Sequence, residues 1–124
     1  SCPICYKIFK EEYGLKGIEV LHYTQYIKRL VDEGRLKLNA GGESIVYHDP
    51  CELGRGCGVY AEPRNVLSQV GTLVKAGKEP QTIVTACPLC LMTFSGPALD
   101  AVNAEGNPVK VNDFAEVVSR SVSI

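Results

Sequence analysis

Apolar residues fall at helical spacing in five stretches of the chain, and these alternate with four short extended apolar runs. Ile8, Phe9 and Tyr13 share one face of a first helix that Gly14 can stop. Ile27, Leu30 and Val31 do the same in TQYIKRLVDEG, with Thr24 as the expected cap and Gly34 as the stop. A third helix, with Pro63 as its first residue, carries Val66, Leu67, Val70 and Val74 on one side. CPLCLMTF opens a fourth, broken at Gly96-Pro97, and DFAEVVSRSV forms the fifth, capped by Asn112 or Asp113. Between them GIEVLHY from Gly17, SIVYHDP ending at Pro50, TIVTA and PVKV read as strands.

Strands separated by helices of this length predict βαβ units, because parallel neighbours need a crossover connection. The expected fold is α/β, a parallel sheet of about four strands flanked by helices. Right-handed crossovers put the strand C-terminal ends, where ligands bind in such sheets, on one edge. Cys51 and Cys87 each follow a strand end.

The pattern also repeats. CPICYKIF (2–9) lies over CPLCLMTF (87–94) with both cysteines, the proline and the phenylalanine in register. IEVLHYTQYIKRLV (18–31) lies over VKVNDFAEVVSRSV (109–122), matching apolar positions, Tyr23 with Phe114 and Arg29 with Arg120. Each unit is a Cys-Pro-x-Cys helix start, a strand and a second helix, an internal pseudo-repeat of two copies.

Composition narrows the class. With 124 residues, 45% apolar and 22% charged, the chain suits one globular domain, 1–124. A net charge of -1 without any five-residue run of Lys and Arg argues against a nucleic-acid partner. No run approaches the ~18 to 20 apolar residues of a membrane span, and the N-terminus lacks a signal-peptide layout, so a cytoplasmic location is expected. A first residue inside a motif suggests a fragment of a longer chain.

Six cysteines, Cys2, Cys5, Cys51, Cys57, Cys87 and Cys90, are too few for a disulfide-stapled mini-domain, and paired cysteines in a cytosolic α/β chain point to metal or redox chemistry. Cys2 and Cys87 sit at helix N-termini, where unpaired N–H groups stabilise a thiolate as metal ligand or as redox nucleophile. Cys57, in GRGCGVY, is either a ligand or an idle thiol. His48, three residues before Cys51, either orients a ligand or donates to cluster sulfur, or is a strand histidine paired with backbone. His22 occupies the repeat position of Asp113, which favours a capping role. Arg55 and Arg64 could hold an anion near the Gly-rich loop CELGRGCG, or be plain surface charges.

The stretches CPICYKIFKEEYG, EVLHYTQYI, VYHDPCELGR, GVYAEPRNVL and TIVTACPLC together cover most of the chain and resemble the cysteine-rich CCG domain family. That family occurs in the cysteine-rich subunit of heterodisulfide reductase and in iron-sulfur subunits of glycolate oxidase, lactate-utilisation and anaerobic glycerol-3-phosphate dehydrogenase complexes. The resemblance implies Cys51 as the leading ligand of one unit, Cys87 and Cys90 as its closing pair, and Cys2 and Cys5 as the closing pair of the unit before. It implies a four-iron (4Fe-4S) cluster and, as partners, flavin-containing or other redox subunits of one complex. No Cys-Cys-Gly stands between Cys51 and Cys87, where the family carries one. Either it is lost here, or a segment around Lys75 to Glu79 is missing from the sequence.

Three functions follow. The first is an iron-sulfur electron-transfer domain of an oxidoreductase, ligated by Cys51, Cys87 and Cys90, with His48 and the 54–58 loop behind them. The second is a structural zinc site built from those three cysteines with Cys57 or His48. The third is metal-free thiol-disulfide exchange by a Cys-Pro-x-Cys pair. No GxGxxG follows a strand, so dehydrogenase chemistry would lie on a partner.

Overall fold

The computed structural model describes residues 2–75, 80–104, 106 and 108–122. Seven helices and four strands are formed by the described residues: α1 (Pro3–Glu11), α2 (Tyr23–Asp32), β1 (Ser44–His48), α3 (Cys51–Gly54), α4 (Ala61–Val70), β2 (Thr72–Leu73), β3 (Thr82–Thr85), α5 (Pro88–Phe94), α6 (Pro97–Ala104), β4 (Lys110–Asp113) and α7 (Phe114–Ser121). The strands form one sheet in the order β2-β1-β3-β4, and every pairing is parallel, as the alternation predicts. His48 pairs with Thr85 and Thr85 with Asp113, so three strands end level on one edge.

One face of the sheet, with Ile45, Tyr47 and Val84, is buried against Val66, Leu67 and Val70 of α4 and Phe114, Val117 and Val118 of α7. The opposite face carries His48 and Thr85. Here α5 packs through Phe94, whose ring meets His48 edge-on with centroids 4.8 Å apart. The large side chains Phe114, Ile45, Leu53 and Leu67 are fully buried, and burying each stabilises by about 1.5–3 kcal/mol.

Two expected elements differ. The run 18–22 forms no strand among the described residues and joins no sheet. Ile18 is 64% exposed while Val20 packs on the core, so its apolar pattern records one-sided packing rather than a ladder. The fourth strand is instead Thr72–Leu73, inside the stretch expected to continue α4 to Val74. The helix stops at Val70 because Gly71 turns extended, and a Cβ there would stand 2.6 Å from Ile45 Cδ1 and 2.8 Å from the Glu43 carbonyl oxygen. The chain then lies beside β1, and the Val74 N–H donates to the Ile45 carbonyl at 2.9 Å. Val74 continued the helical period by coincidence.

The repeat is visible in the caps. His22 caps α2 and Asp113 caps α7, each in a capping box closed by the residue three on, Gln25 and Glu116. The cap of α2 is therefore His22 and not Thr24, which lies inside the helix with its hydroxyl 2.9 Å from His22 Nδ1.

Candidate metal centre

Three helix starts meet at the C-terminal edge of the sheet. Cys2 caps α1 with Pro3 as first helical residue, Cys87 caps α5 with Pro88 in the same place, and Pro50 precedes α3, which begins at Cys51. Proline suits the first helical position of α1 and α5 because its fixed φ matches the helix and its missing N–H would have no partner there. Level strand ends and short helix starts bring the three Cys-Pro or Pro-Cys pairs to a cleft of about 210 Å³. It is lined by Cys2, Cys51, Cys87 and Cys90 together with Ile4, Glu52 and Leu89. Leu89 is 65% exposed, so the cleft opens to solvent beside an apolar lip.

The remaining candidates lie elsewhere. Cys5 shares a second cavity of about 360 Å³ with Cys2, Tyr6, Phe9 and His22. Its backbone N–H donates to Cys2 Sγ at 3.3 Å. Cys57 packs half-buried against the core and does not line the cleft of four cysteines. His48 likewise stands outside that cleft, on the α5 face of the sheet. His22 is a buried cap. Arg64 makes a two-pronged ion pair with Asp49 and lies over the Tyr47 ring, 5.3 Å from its centre, so it secures the residues just before Cys51. Residues 76–79, within the stretch suspected of a missing segment, lie outside the described residues.

The Gly-rich loop packs closely behind Cys51. A Cβ on Gly56 would stand 2.4 Å from the Glu52 carbonyl oxygen, and one on Gly54 would stand 2.7 Å from the Tyr60 ring. Gly58 has a positive φ of 69°, and the Gly56 N–H donates to the Cys51 carbonyl at 3.0 Å. These glycines let one helical turn fold tightly, a role that their sequence pattern shares with anion-binding loops.

All six cysteines are free thiols. The Cys90 thiol is pushed up by burial first and then by the neighbouring Cys87 sulfur, so a ligand role there requires proton release on binding. The Cys2 thiol is drawn down by hydrogen bonding from the Cys5 side chain and backbone. Burial raises the Cys57 thiol.

Among the described residues, no three His, Cys, Asp or Glu side chains approach closely enough to hold a single metal ion. A polynuclear cluster makes a different demand, because each thiolate binds its own iron and the sulfurs stand apart around it. Four thiols spread around one cleft fit that demand better than they fit tetrahedral coordination of one zinc. The Thr85 hydroxyl at the end of β3 is fully buried and makes no hydrogen bond among the described residues.

No family model and no solved structure matches the chain. Curated proteins do. The EtfAB:quinone oxidoreductase of Syntrophomonas wolfei is 33% identical over 168 positions, covering 98% of this chain and 23% of that protein. A subunit of the dihydromethanophenazine:CoB–CoM heterodisulfide reductase of Methanosarcina barkeri is 37% identical over 76 residues, 56% of this chain and 19% of that one. The probable iron-sulfur-binding oxidoreductase FadF of Bacillus subtilis is 40% identical over 72 residues, 55% of this chain and 10% of that protein. The chain thus spans less than a quarter of the length of these relatives. The first alignment runs over 168 positions against a chain of 124 residues, so at least 44 of them face gaps in this chain.

A parallel sheet that delivers three cysteine-bearing helix starts to one edge defines a cysteine-rich α/β domain. Its similarity to part of each of these oxidoreductase proteins is consistent with a cysteine-rich iron-sulfur domain.

Proposed function

We propose that the chain holds an iron-sulfur cluster at the C-terminal edge of its sheet and passes electrons within an oxidoreductase complex. The observation that carries this reading is the single cleft shared by Cys2, Cys51, Cys87 and Cys90. Cys51, Cys87 and Cys90 are the proposed ligands, and Cys2 supplies the fourth thiolate of the same cleft. Cys5 orients Cys2 through its N–H, and His48 steadies α5 from behind through Phe94. When bound, the cluster supplies one-electron storage at a potential set by its surroundings.

The finer proposal is a four-iron cluster of the CCG type in a cytoplasmic protein. Six free thiols suit a reducing compartment, and no described helix is long and apolar enough to cross a membrane. Its redox partners are flavin-containing or other subunits of the same complex, by analogy with the oxidoreductases it resembles. The exposed Ile4, Leu89 and Met92 lie on or next to the elements that form the cleft, where a partner subunit would exclude water.

Anaerobic reconstitution of the full-length protein with iron and sulfide tests this. A brown protein with labile sulfide and with iron lost in Cys51→Ser, Cys87→Ser and Cys90→Ser is expected. One zinc per chain, with neither iron nor sulfide retained, would establish the structural zinc reading instead. A colourless protein whose Cys87 and Cys90 form a bond readily reduced by thiols would establish thiol-disulfide exchange.

A further inference from the structure

The two copies of the pseudo-repeat are not equally complete. In the second, the segment leading into Cys87 is β3, α5 crosses over, and β4 returns parallel to β3 with Thr82 beside Lys110 and Thr85 beside Asp113. In the first, α1 follows Cys2, and the run 18–22 stands in the repeat position of β4 with no strand beside it.

The backbone keeps the same form at the end of both. His22 has φ -72° and ψ 148°, and Asp113 has φ -69° and ψ 148°. Each N–H turns to its own capping box, donating to Gln25 Oε1 at 3.0 Å and to Glu116 Oε2 at 2.7 Å. In β4 the Lys110 N–H donates to the Gln81 carbonyl at 3.0 Å, and the two-residue spacing of a parallel ladder aims the Asn112 N–H at β3 as well. Their counterparts are Glu19 and Leu21. Among the described residues, the backbone groups of Ile18, Glu19, Val20 and Leu21 make no hydrogen bond, although Val20 and Leu21 are half-buried. Backbone taken out of water in this way is paired in a finished fold.

The side chains agree. Phe94 packs on His48 of the sheet, whereas Phe9 in the same repeat position is 45% exposed and meets Tyr13 edge-on. Helix α5 packs on β4, whereas a cavity of about 360 Å³ lies between α1 and the run, lined by Cys5, Tyr6 and Phe9 from one and by Val20 and Leu21 from the other. In both respects α1 wants the sheet that α5 has.

We propose that the run 18–22 is an acceptor edge for one parallel β-strand, and that this strand is the segment leading into Cys2 in the full-length protein. Strand, Cys-Pro helix and returning run then make a βαβ unit, which fixes the pairing as parallel. The counterpart of the strand is TIVT of β3, so the segment is apolar and β-branched and ends two residues before Cys2. The Syntrophomonas wolfei relative has room for it, since the aligned stretch is 98% of this chain and 23% of that protein. The strand does for Cys2 what β3 does for Cys87, fixing the helix start from its N-terminal side. From the other side α1 rests on α3, with Lys7 Nζ 3.4 Å from Glu52 Oε2.

Single-residue amide exchange of the full-length protein tests the pairing. Leu21 and Glu19 are expected to exchange within about tenfold of Asn112 and Lys110, their counterparts, and on the order of a hundredfold more slowly than Gly14 and Gly17. Exchange of Leu21 and Glu19 as fast as at those glycines overturns the proposal. A benzophenone side chain in place of the exposed Ile18 identifies the neighbour. Because Lys110 pairs with Thr82, five residues before Cys87, the photoproduct is expected within the same polypeptide at about four to eight residues before Cys2. A photoproduct on another segment or on a second copy overturns the proposal, and so does the lack of any. Neither readout depends on iron, so the iron-sulfur reading stands or falls separately.

Discussion

The phenol of Tyr23 donates a hydrogen bond to Asp113 Oδ1 at 3.0 Å, joining the first helical residue of α2 to the cap of α7. The two residues belong to different copies of the pseudo-repeat. Burial first, and then the Asp113 charge, push the Tyr23 phenol far up, so it stays a donor at every accessible pH. The same Asp113 oxygen accepts from the Ala115 N–H, so one carboxylate both caps a helix and ties the two copies together.

Tyr23→Phe is therefore expected to cost about 1–2 kcal/mol, near the value of a hydrogen bond to a charged group, with the α7 cap intact. Asp113→Ala should cost about 2–4 kcal/mol, because it removes the cap and also leaves the phenol unpaired. Urea unfolding of both singles and the double tests the link. The double mutant should lose less than the sum of the singles, and strict additivity would show that the bond contributes nothing.

The repeat was legible because the chemistry of a helix start is local. Cys-Pro at 2–3 and 87–88 reads directly as cap and first residue, and the alignment of His22 with Asp113 predicted the shared capping role that both residues have. The parallel sheet was legible from alternation alone. Thr72–Leu73 was not, because Val70 and Val74 keep a helical period across Gly71 and only the close approach to Ile45 ends the helix. Nor could spacing show that Cys2 joins the cleft of Cys51, Cys87 and Cys90 while Cys57 stays out, since that depends on which residues α1 and α3 place toward each other. The Arg64 and Asp49 pair was equally hidden, as fifteen residues and a helix start separate its members.

Cys57 provides a control for the metal centre. Because it packs on the core outside the cleft, Cys57→Ala should keep the iron content of the reconstituted protein while costing on the order of 1 kcal/mol in packing. Its thiol is raised by burial above the unfolded value. A raised thiol contributes stability that is fully present below the unfolded value of about 8.5 and is lost as pH rises through the higher folded value. Metal-free protein should thus lose stability in alkali, and Cys57→Ala should lose less of it. Equal alkaline losses in urea titrations of the two would count against burial as the cause.

Gly56 tests whether the loop exists for packing. A Cβ 2.4 Å from the Glu52 carbonyl oxygen would have to displace backbone, and that carbonyl belongs to the turn that begins at Cys51. Gly56→Ala is expected to destabilise the metal-free chain by about 1–3 kcal/mol, as overpacking does. It should also weaken iron retention, read as faster bleaching by a chelator. Gly42→Ala, at a site where a Cβ meets nothing within 4 Å, should leave both unchanged.

Arg64 and Asp49 extend the same logic to the other side of Cys51. The guanidinium grips both carboxylate oxygens and covers the Tyr47 ring, so it fixes Asp49 and, through Pro50, the backbone that presents the cysteine. The pair is part-exposed, at 42% and 28%, so its direct contribution to stability is small, about 0–1 kcal/mol. Its larger effect should fall on the position of Cys51. Arg64→Lys keeps the charge but loses the planar fork and the stacking. It is expected to leave the metal-free melting temperature nearly unchanged while shortening the lifetime of bound iron several-fold under chelator challenge. A variant that melts markedly lower but retains iron as long as the unmutated protein would show the pair to be a stability element with no part in placing Cys51.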